Sequence, residues 1–262
     1  MDEVNRRKLA NRELLKLRCR EKEMEAAAMQ TKPLQWKELL EKKIPEKVYY
    51  GLESAFCTGF ALVFQQGRII IEKTYKKEDL QRNHALRDWK VKTAGSRKDL
   101  RDMDDSARKS DSRNMAATTA EGIALGALGV GLPDIVLFLS TLLKGIYETA
   151  IHYGFSYESR QEQYLILKMM SASLKAGNQW AWENKAVDKL LPNELPEVTE
   201  EQFREQMRKT ASDFALDMLL LKFIQGMPVV GFLGGAANPV YYRKVMGYVQ
   251  LKYKKRYLMK QI

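Results

Sequence analysis

The sequence contains few of the residues from which metal and redox centres are built. It has two cysteines and two histidines among 262 residues, and neither Cys19 nor Cys57 belongs to a CxxC motif. Isolated cysteines lack the spacing of a zinc site or a disulfide framework, which fits a reducing cytosol. Glu148 and His152 form a single pair four residues apart, whereas metal-binding helical bundles repeat Glu-x-x-His pairs on several helices. The sequence therefore predicts no metal site and no cofactor.

The common catalytic and nucleotide-binding motifs are also missing. The chain contains no GxSxG, GxxxxGK[ST], HExxH or GxGxxG sequence. No apolar stretch follows the first basic residues, so a secretory signal is not indicated. We therefore expect a cytoplasmic protein, and the motifs give no direct indication of an enzyme.

Positive charge is in excess over negative charge. The chain has 44 Lys and Arg residues against 33 Asp and Glu residues, which gives a formal net charge of +11 at pH 7. Such an excess would attract an anionic membrane surface, an acidic protein or nucleic acid. A solvated basic surface without any charged partner is the alternative interpretation.

Two regions of different composition divide the chain. Residues 1–45 are predicted as a charged N-terminal helical extension, because 2–30 is rich in good helix formers but has only a thin apolar stripe. This extension is expected to be mobile, either as a solvated segment or as a binding arm. Residues 46–262 are predicted as a helical domain. It opens with apolar side chains at helical spacing over 46–66. Residues 68–75 are predicted as another helical turn or an apolar strand, and the polar stretch beyond them, which includes 89–113, as a polar helix with a mobile connection.

Two long apolar segments, 122–143 and 219–239, are each interrupted by a proline. Each approaches the roughly 20 apolar residues that cross a membrane, but the proline and glycines favour packed helices in a protein core. Pairs of glycines stand four residues apart, a spacing that lets helices approach closely: Gly122 with Gly126, and Gly231 with Gly235. The predicted fold is all-α, a helical bundle centred on two Gly/Pro-broken apolar helical hairpins. Insertion of these hairpins into a membrane is the alternative.

Capping sequences mark several helix starts in the second half of the chain. A Ser or Thr followed three residues later by Glu or Gln forms a capping box, and Asn followed by Pro is an N-cap with a first-turn proline. The pairs are Ser159 with Glu162, Thr199 with Gln202, and Asn238 with Pro239. With glycines that end helices, they predict helices over about 134–152, 163–175, 199–221 and 239–258.

Two carboxylates beside the first apolar segment are the weak candidates for catalysis. Asp134 is the single charged residue between Gly122 and Leu143, and Glu121 immediately precedes the segment. A carboxylate in an apolar run is costly unless it is paired or capped. Both residues could serve in acid/base chemistry, but stabilisation of a helix start explains each of them better.

The last helix carries the strongest binding signal. Residues 240–262 include seven Lys or Arg residues and five tyrosines, and no acid. On a helical wheel the tyrosines and valines occupy one face and most of the bases lie opposite, which is typical of a helix on a membrane surface or against an acidic partner. A packed helix with a solvated basic face is the alternative, and nucleic acid is the least favoured partner. The predicted membrane- or partner-binding residues are Arg243, Lys244, Lys254, Lys255, Tyr242 and Tyr253.

Several stretches together resemble the EcsC family of bacterial proteins, which is named after the third gene of an ABC-transporter operon. They are AEGIALGALGVGLPDIVLFLSTLLKGIYETAIHYGFSY, EQYLILKMM and FIQGMPVVGFLGGAANPVYYRKVMGYVQLKYKKRYL. The resemblance runs from about residue 46 to the C terminus. The positions that match the family's pattern are Glu121, Gly122, Gly129, Gly131, Pro133, Asp134, Tyr153, Gly154, Gly226, Pro228, Asn238 and Pro239.

The resemblance implies an all-helical protein and supplies no catalytic residue. The expected function is that of a non-enzymatic accessory or regulatory protein, peripheral at the inner face of the cell membrane, with an ABC-transporter complex as partner. The alternative is a membrane-surface hydrolase acting on lipid or peptide through Asp134 and Glu121. The sequence makes no prediction of the oligomeric state.

Overall fold

A computed structural model describes residues 3–30, 46–64, 76–93, 98–109, 132–192, 194–225 and 237–262. Within these ranges, the side chains at 132–134, 221–225 and 237–238 fall outside the description. The glycine-rich parts of both predicted hairpins, with Gly122, Gly126, Gly231 and Gly235, lie outside the described residues.

The described part of the chain is built from α-helices and contains no β-strand, which confirms the all-α prediction. The helices are α1 (Glu3–Gln30), α2 (Glu46–Leu62), α3 (Lys77–Thr93), α4 (98–109), α5 (Leu132–His152), α6 (Arg160–Leu174), α7 (Gly177–Asp188), α8 (Glu200–Gln225) and α9 (Ala237–Met259).

The predicted capping residues begin α6 and α8. The Ser159 hydroxyl accepts a hydrogen bond from the Glu162 backbone N–H at 3.2 Å. At the start of α8, Thr199 and Gln202 exchange two bonds: the Thr199 N–H donates to Gln202 Oε1 at 3.0 Å, and the Gln202 N–H donates to Thr199 Oγ1 at 3.2 Å. Each bond satisfies an amide that the helix itself leaves without a partner. The predicted starts are therefore confirmed for these two helices.

One short helix was not predicted. The helix predicted over 163–175 ends at Leu174, and Gly177 then begins α7. Its φ of +57° lies in the left-handed region, which glycine adopts without a steric penalty. The chain therefore turns from α6 into α7 within two residues.

The centre of the molecule lies among α2, α5, α8, α6 and α9. The Phe214 ring on α8 contacts the rings of Phe56 and Phe60 on α2 and of Phe138 on α5, and it joins these two helices to α8. These rings are buried, so the helical stripe predicted for residues 46–66 is confirmed at its C-terminal end. Helix α9 packs on α5 and α6, and α3 packs on α5.

Helix α1 lies against α9 and α7. Ala10, Leu14 and Leu17 are buried in this contact. The described part of the predicted mobile extension is thus docked on the helical core, because its thin apolar stripe is supplemented by ion pairs that are described below.

One described helix is long and apolar enough to cross a membrane, through the window Ile135–His152 of α5. Of this window, 72% is buried inside the protein. The central helix of a protein core has the same length and composition, so this feature alone does not distinguish the two environments.

Candidate functional site

The C-terminal half of α9 carries a cluster of cationic side chains that are turned into the protein. The Lys252 side chain is fully buried, and those of Lys255 and Arg256 are 10% and 8% exposed. A buried charge is costly unless an opposite charge and hydrogen bonds compensate it. Each of these cations has a carboxylate partner on another helix, and together with Lys254 they form what we call the α9 charge network.

Lys252 and Lys255 share two carboxylates. The Lys252 ammonium group lies 2.5 Å from Glu21 Oε1 on α1 and 2.6 Å from Asp188 Oδ1 on α7. Lys255 lies 2.8 Å from the second oxygen of each of these carboxylates. Two lysines and two acids thus alternate, and they tie α1, α7 and α9 together.

Lys254 points towards α4 and α1. Its ammonium group lies 2.6 Å from Asp104 Oδ2 and 3.4 Å from Glu13 Oε2. Asp104 also accepts a hydrogen bond of 2.9 Å from the Tyr153 hydroxyl. Burial raises the pKa of Glu13, but its hydrogen bonds to Lys16 and Lys254 and the charges of these lysines outweigh that effect, and the pKa ends below its usual value.

Arg256 binds the carboxylate of Glu162 on α6. One guanidinium nitrogen lies 2.8 Å from both carboxylate oxygens, and the Tyr253 hydroxyl donates to Oε1 at 2.8 Å. The guanidinium group also lies over the Phe155 ring, 4.2 Å from its centroid. Burial raises the pKa of Tyr253 far above its usual value, and the charge of Glu162 adds to this effect. Tyr253 therefore stays protonated and acts as a hydrogen-bond donor.

The structure corrects the predicted binding face of α9. Tyr242 and Tyr253 are buried, and Lys254 and Lys255 are paired inside the protein. Arg243 alone among the predicted residues is exposed without a carboxylate partner in the described part of the chain. A helical wheel shows which side chains share a face, but it does not show that α1, α4 and α7 supply carboxylates that cover the basic face.

Lys244 belongs to a second polar cluster, between α6, α8 and the start of α9. Lys244 lies 3.3 Å from Asp217 Oδ2, and Tyr241 donates to the Asp217 backbone carbonyl at 2.9 Å. One helical turn away, Asp213 accepts a hydrogen bond of 2.5 Å from Ser171 and pairs with Lys175. Burial raises the pKa of Asp217, although Lys244 counteracts this effect. Sequence analysis missed both aspartates, whose spacing of four residues on α8 was the available signal.

The weak catalytic candidates are not tested by the described structure. Asp134 lies in the first turn of α5, but its side chain falls outside the description, and Glu121 lies outside the described residues. The hydrolase alternative that uses them therefore stays a prediction. Within the described ranges, no group of three or more His, Cys, Asp or Glu side chains is placed to hold a metal ion.

Two tryptophans are exposed, which sequence analysis did not single out. Trp89 on α3 is 63% exposed, and Trp182 on α7 is 76% exposed. Leu86, one turn before Trp89, is 56% exposed as well. Large apolar side chains that share an exposed helix face are typical of a surface that contacts a partner or a membrane.

Comparisons with known proteins place the chain in a family. The sequence model of the EcsC protein family matches residues 8–258. The match starts well before residue 46, where the resemblance was expected to begin, and it includes most of the docked helix α1. No curated protein and no solved structure matches the chain. Because the family model covers nearly the whole sequence, the chain belongs to the EcsC protein family.

Proposed function

We propose that this protein is a non-enzymatic accessory or regulatory protein that associates peripherally with an anionic membrane surface. Its proposed place is the cytoplasmic face of the cell membrane, and its proposed partner there is an ABC-transporter complex. The transporter part rests on the operon association of the family that the sequence resembles.

The charge balance of the α9 charge network is the observation that carries the proposal. The network contains four cations and five carboxylates: Lys252, Lys254, Lys255 and Arg256 with Glu13, Glu21, Asp104, Glu162 and Asp188. The network has a formal charge of −1, so the rest of the chain carries +12, against +11 for the whole chain. An excess of this size favours attraction to an anionic surface.

The exposed Trp89 supports a membrane rather than a purely ionic partner. The indole ring prefers the boundary between lipid headgroups and acyl chains, because it has an apolar body and a polar N–H group. Trp89 stands on α3 beside the exposed Lys90 and one turn from the exposed Leu86.

Fractionation of cells that produce the protein tests the proposal. We expect the protein in the membrane pellet at low salt, and we expect high salt to release it because exposed charges are screened. Retention through high salt and a carbonate wash would show insertion of an apolar segment instead. Recovery in the supernatant at every ionic strength would contradict membrane association. The transporter part is tested separately, by comparing the membrane-bound fraction in cells with and without the transporter.

A further inference from the structure

We propose that the exposed side of α3 formed by Leu86, Trp89, Lys90 and Lys92, the α3 outward face, is the surface that docks onto anionic lipid. This inference rests on the proposed function and adds the site of contact to it. The first observation that supports it is exposure: Leu86 and Trp89 are large apolar side chains, and both are more than half exposed.

The arrangement of the four side chains suits a membrane interface, in which apolar side chains enter the acyl region and basic side chains stay at the level of the phosphates. At 3.6 residues per turn, Leu86 and Trp89 are neighbours in the middle of the exposed side. Lys90 is one turn from Leu86 and Lys92 is one turn from Trp89, so the two lysines flank the apolar pair on opposite sides. Lys90 can keep its ammonium group at the phosphate level while its aliphatic chain covers apolar surface, and the ammonium group of Lys92 pairs with Asp88.

The charges of this part of α3 favour an anionic partner. From His84 onwards the helix contains three basic residues and one acid, Asp88. The Asp88 carboxylate accepts a hydrogen bond of 2.9 Å from Tyr257 and is neutralised by Lys92, which lies 2.6 Å away. Lys90 has no carboxylate partner among the described residues, and it is exposed.

The opposite side of α3 is anchored, so the outward face is presented in one orientation. Val91 is buried, and the Tyr257 bond to Asp88 ties the helix to α9. His84 Nδ1 also donates to the His152 backbone carbonyl at 2.9 Å, which fixes α3 to the end of α5. A rigid face loses little conformational entropy when it docks.

The second exposed tryptophan provides a matched control. Trp182 is even more exposed than Trp89, but no other large apolar side chain of α7 is exposed. Serine at either position changes a surface side chain, so both variants are expected to keep the thermal stability of the unchanged protein.

The experiment is flotation of the full chain with vesicles of phosphatidylglycerol and phosphatidylcholine, alongside vesicles of phosphatidylcholine alone. We expect Trp89→Ser to lower the partition coefficient on the anionic vesicles by about tenfold, from the lost burial of the indole ring. Lys90→Gln should lower it by about fivefold. Trp182→Ser should leave it within about twofold of the unchanged protein.

The possible failures are distinguishable. If the unchanged protein floats with anionic vesicles and Trp89→Ser binds equally well, the α3 outward face is not the surface that docks onto lipid, and the proposed function stands. If the unchanged protein does not float with either kind of vesicle, both the docking surface and the proposed function are refuted. If Trp89→Ser alters the sedimentation coefficient and leaves vesicle binding unchanged, the face is a contact between copies of the chain, and the proposal is overturned.

Discussion

Replacement of Glu162 by alanine is expected to destabilise the protein more than any exposed ion-pair substitution. Its side chain is 5% exposed and that of its partner Arg256 is 8% exposed, so the change leaves a guanidinium group buried beside no carboxylate. Removal of one partner from a buried pair costs about 3–5 kcal/mol. The lost acceptor for the Tyr253 hydroxyl adds about 1 kcal/mol.

This loss is large compared with the total stability of a domain, which is about 5–15 kcal/mol. A protein of this size loses roughly 2–4 °C of melting temperature for each kcal/mol, so we expect Glu162→Ala to lower Tm by roughly 10 °C or more. Thermal melts followed by circular dichroism, with urea unfolding as a second measure, provide the comparison. The joint replacement Glu162→Leu with Arg256→Met should cost less than the sum of the two single changes, because no buried charge is left alone.

An exposed pair on α8 is the matched control. Glu200 pairs with Arg204 at 3.0 Å and with Arg160 at 2.8 Å, but the three side chains are 52%, 73% and 49% exposed. Replacement of Glu200 by alanine should change stability by no more than about 1 kcal/mol. Equal effects of Glu162→Ala and Glu200→Ala would refute the conclusion that the α9 charge network contributes specifically to the fold.

The remaining predictions concern α1 and the end of α5. The pKa of Glu13 is below its usual value of 4.5, so its ion pairs stabilise the fold above that pH and are lost as the pH falls through the lower, folded-state pKa. Unfolding followed between pH 7 and pH 3 should therefore show a smaller loss of stability in Glu13→Gln than in the unchanged protein; an identical pH profile would contradict the role of this pair. Gly154 has a φ of +78°, and an added Cβ would collide with the His84 ring, so Gly154→Ala should cost at least about 1–2 kcal/mol. Gly247→Ala is its control in urea unfolding, since nothing lies within 4 Å of the added Cβ and a helical alanine should stabilise by up to about 1 kcal/mol; the account fails if both alanines have the same effect.

Sequence patterns predicted the parts of the fold that local chemistry determines. The capping boxes at Ser159 and Thr199 act over three residues, so their hydrogen bonds follow from spacing alone. The last helix was predicted over 239–258 and extends over Ala237–Met259, so the helix itself is confirmed, whereas its N terminus lies before the predicted cap at Asn238.

The environment of the last helix could not be predicted in the same way. One partner of Lys252 is Glu21, which precedes it by 231 residues in the chain. Its pairing depends on how α1 crosses α9, and the period of a helix contains no information about that crossing. The basic face of α9 therefore resembled a membrane-binding surface in the sequence, whereas in the structure acids from α1, α4, α6 and α7 neutralise it.

Three consecutive residues in a stretch that resembles the family lie beside the network. Tyr153 binds Asp104, Gly154 ends α5 with a positive φ, and Phe155 lies under the Arg256 guanidinium group. The sequence marked Tyr153 and Gly154 as positions of the family's pattern, but their contacts with α4 and α9 depend on how the helices cross.

Binding of the purified protein to vesicles as a function of ionic strength tests the central claim most directly. The account predicts binding to vesicles that contain phosphatidylglycerol, an affinity that falls steadily as salt is added, and no measurable binding to phosphatidylcholine alone. Equal affinity for anionic and neutral vesicles, or no affinity for anionic vesicles at low salt, would contradict the claim that the positive charge outside the α9 charge network holds this protein at a membrane surface.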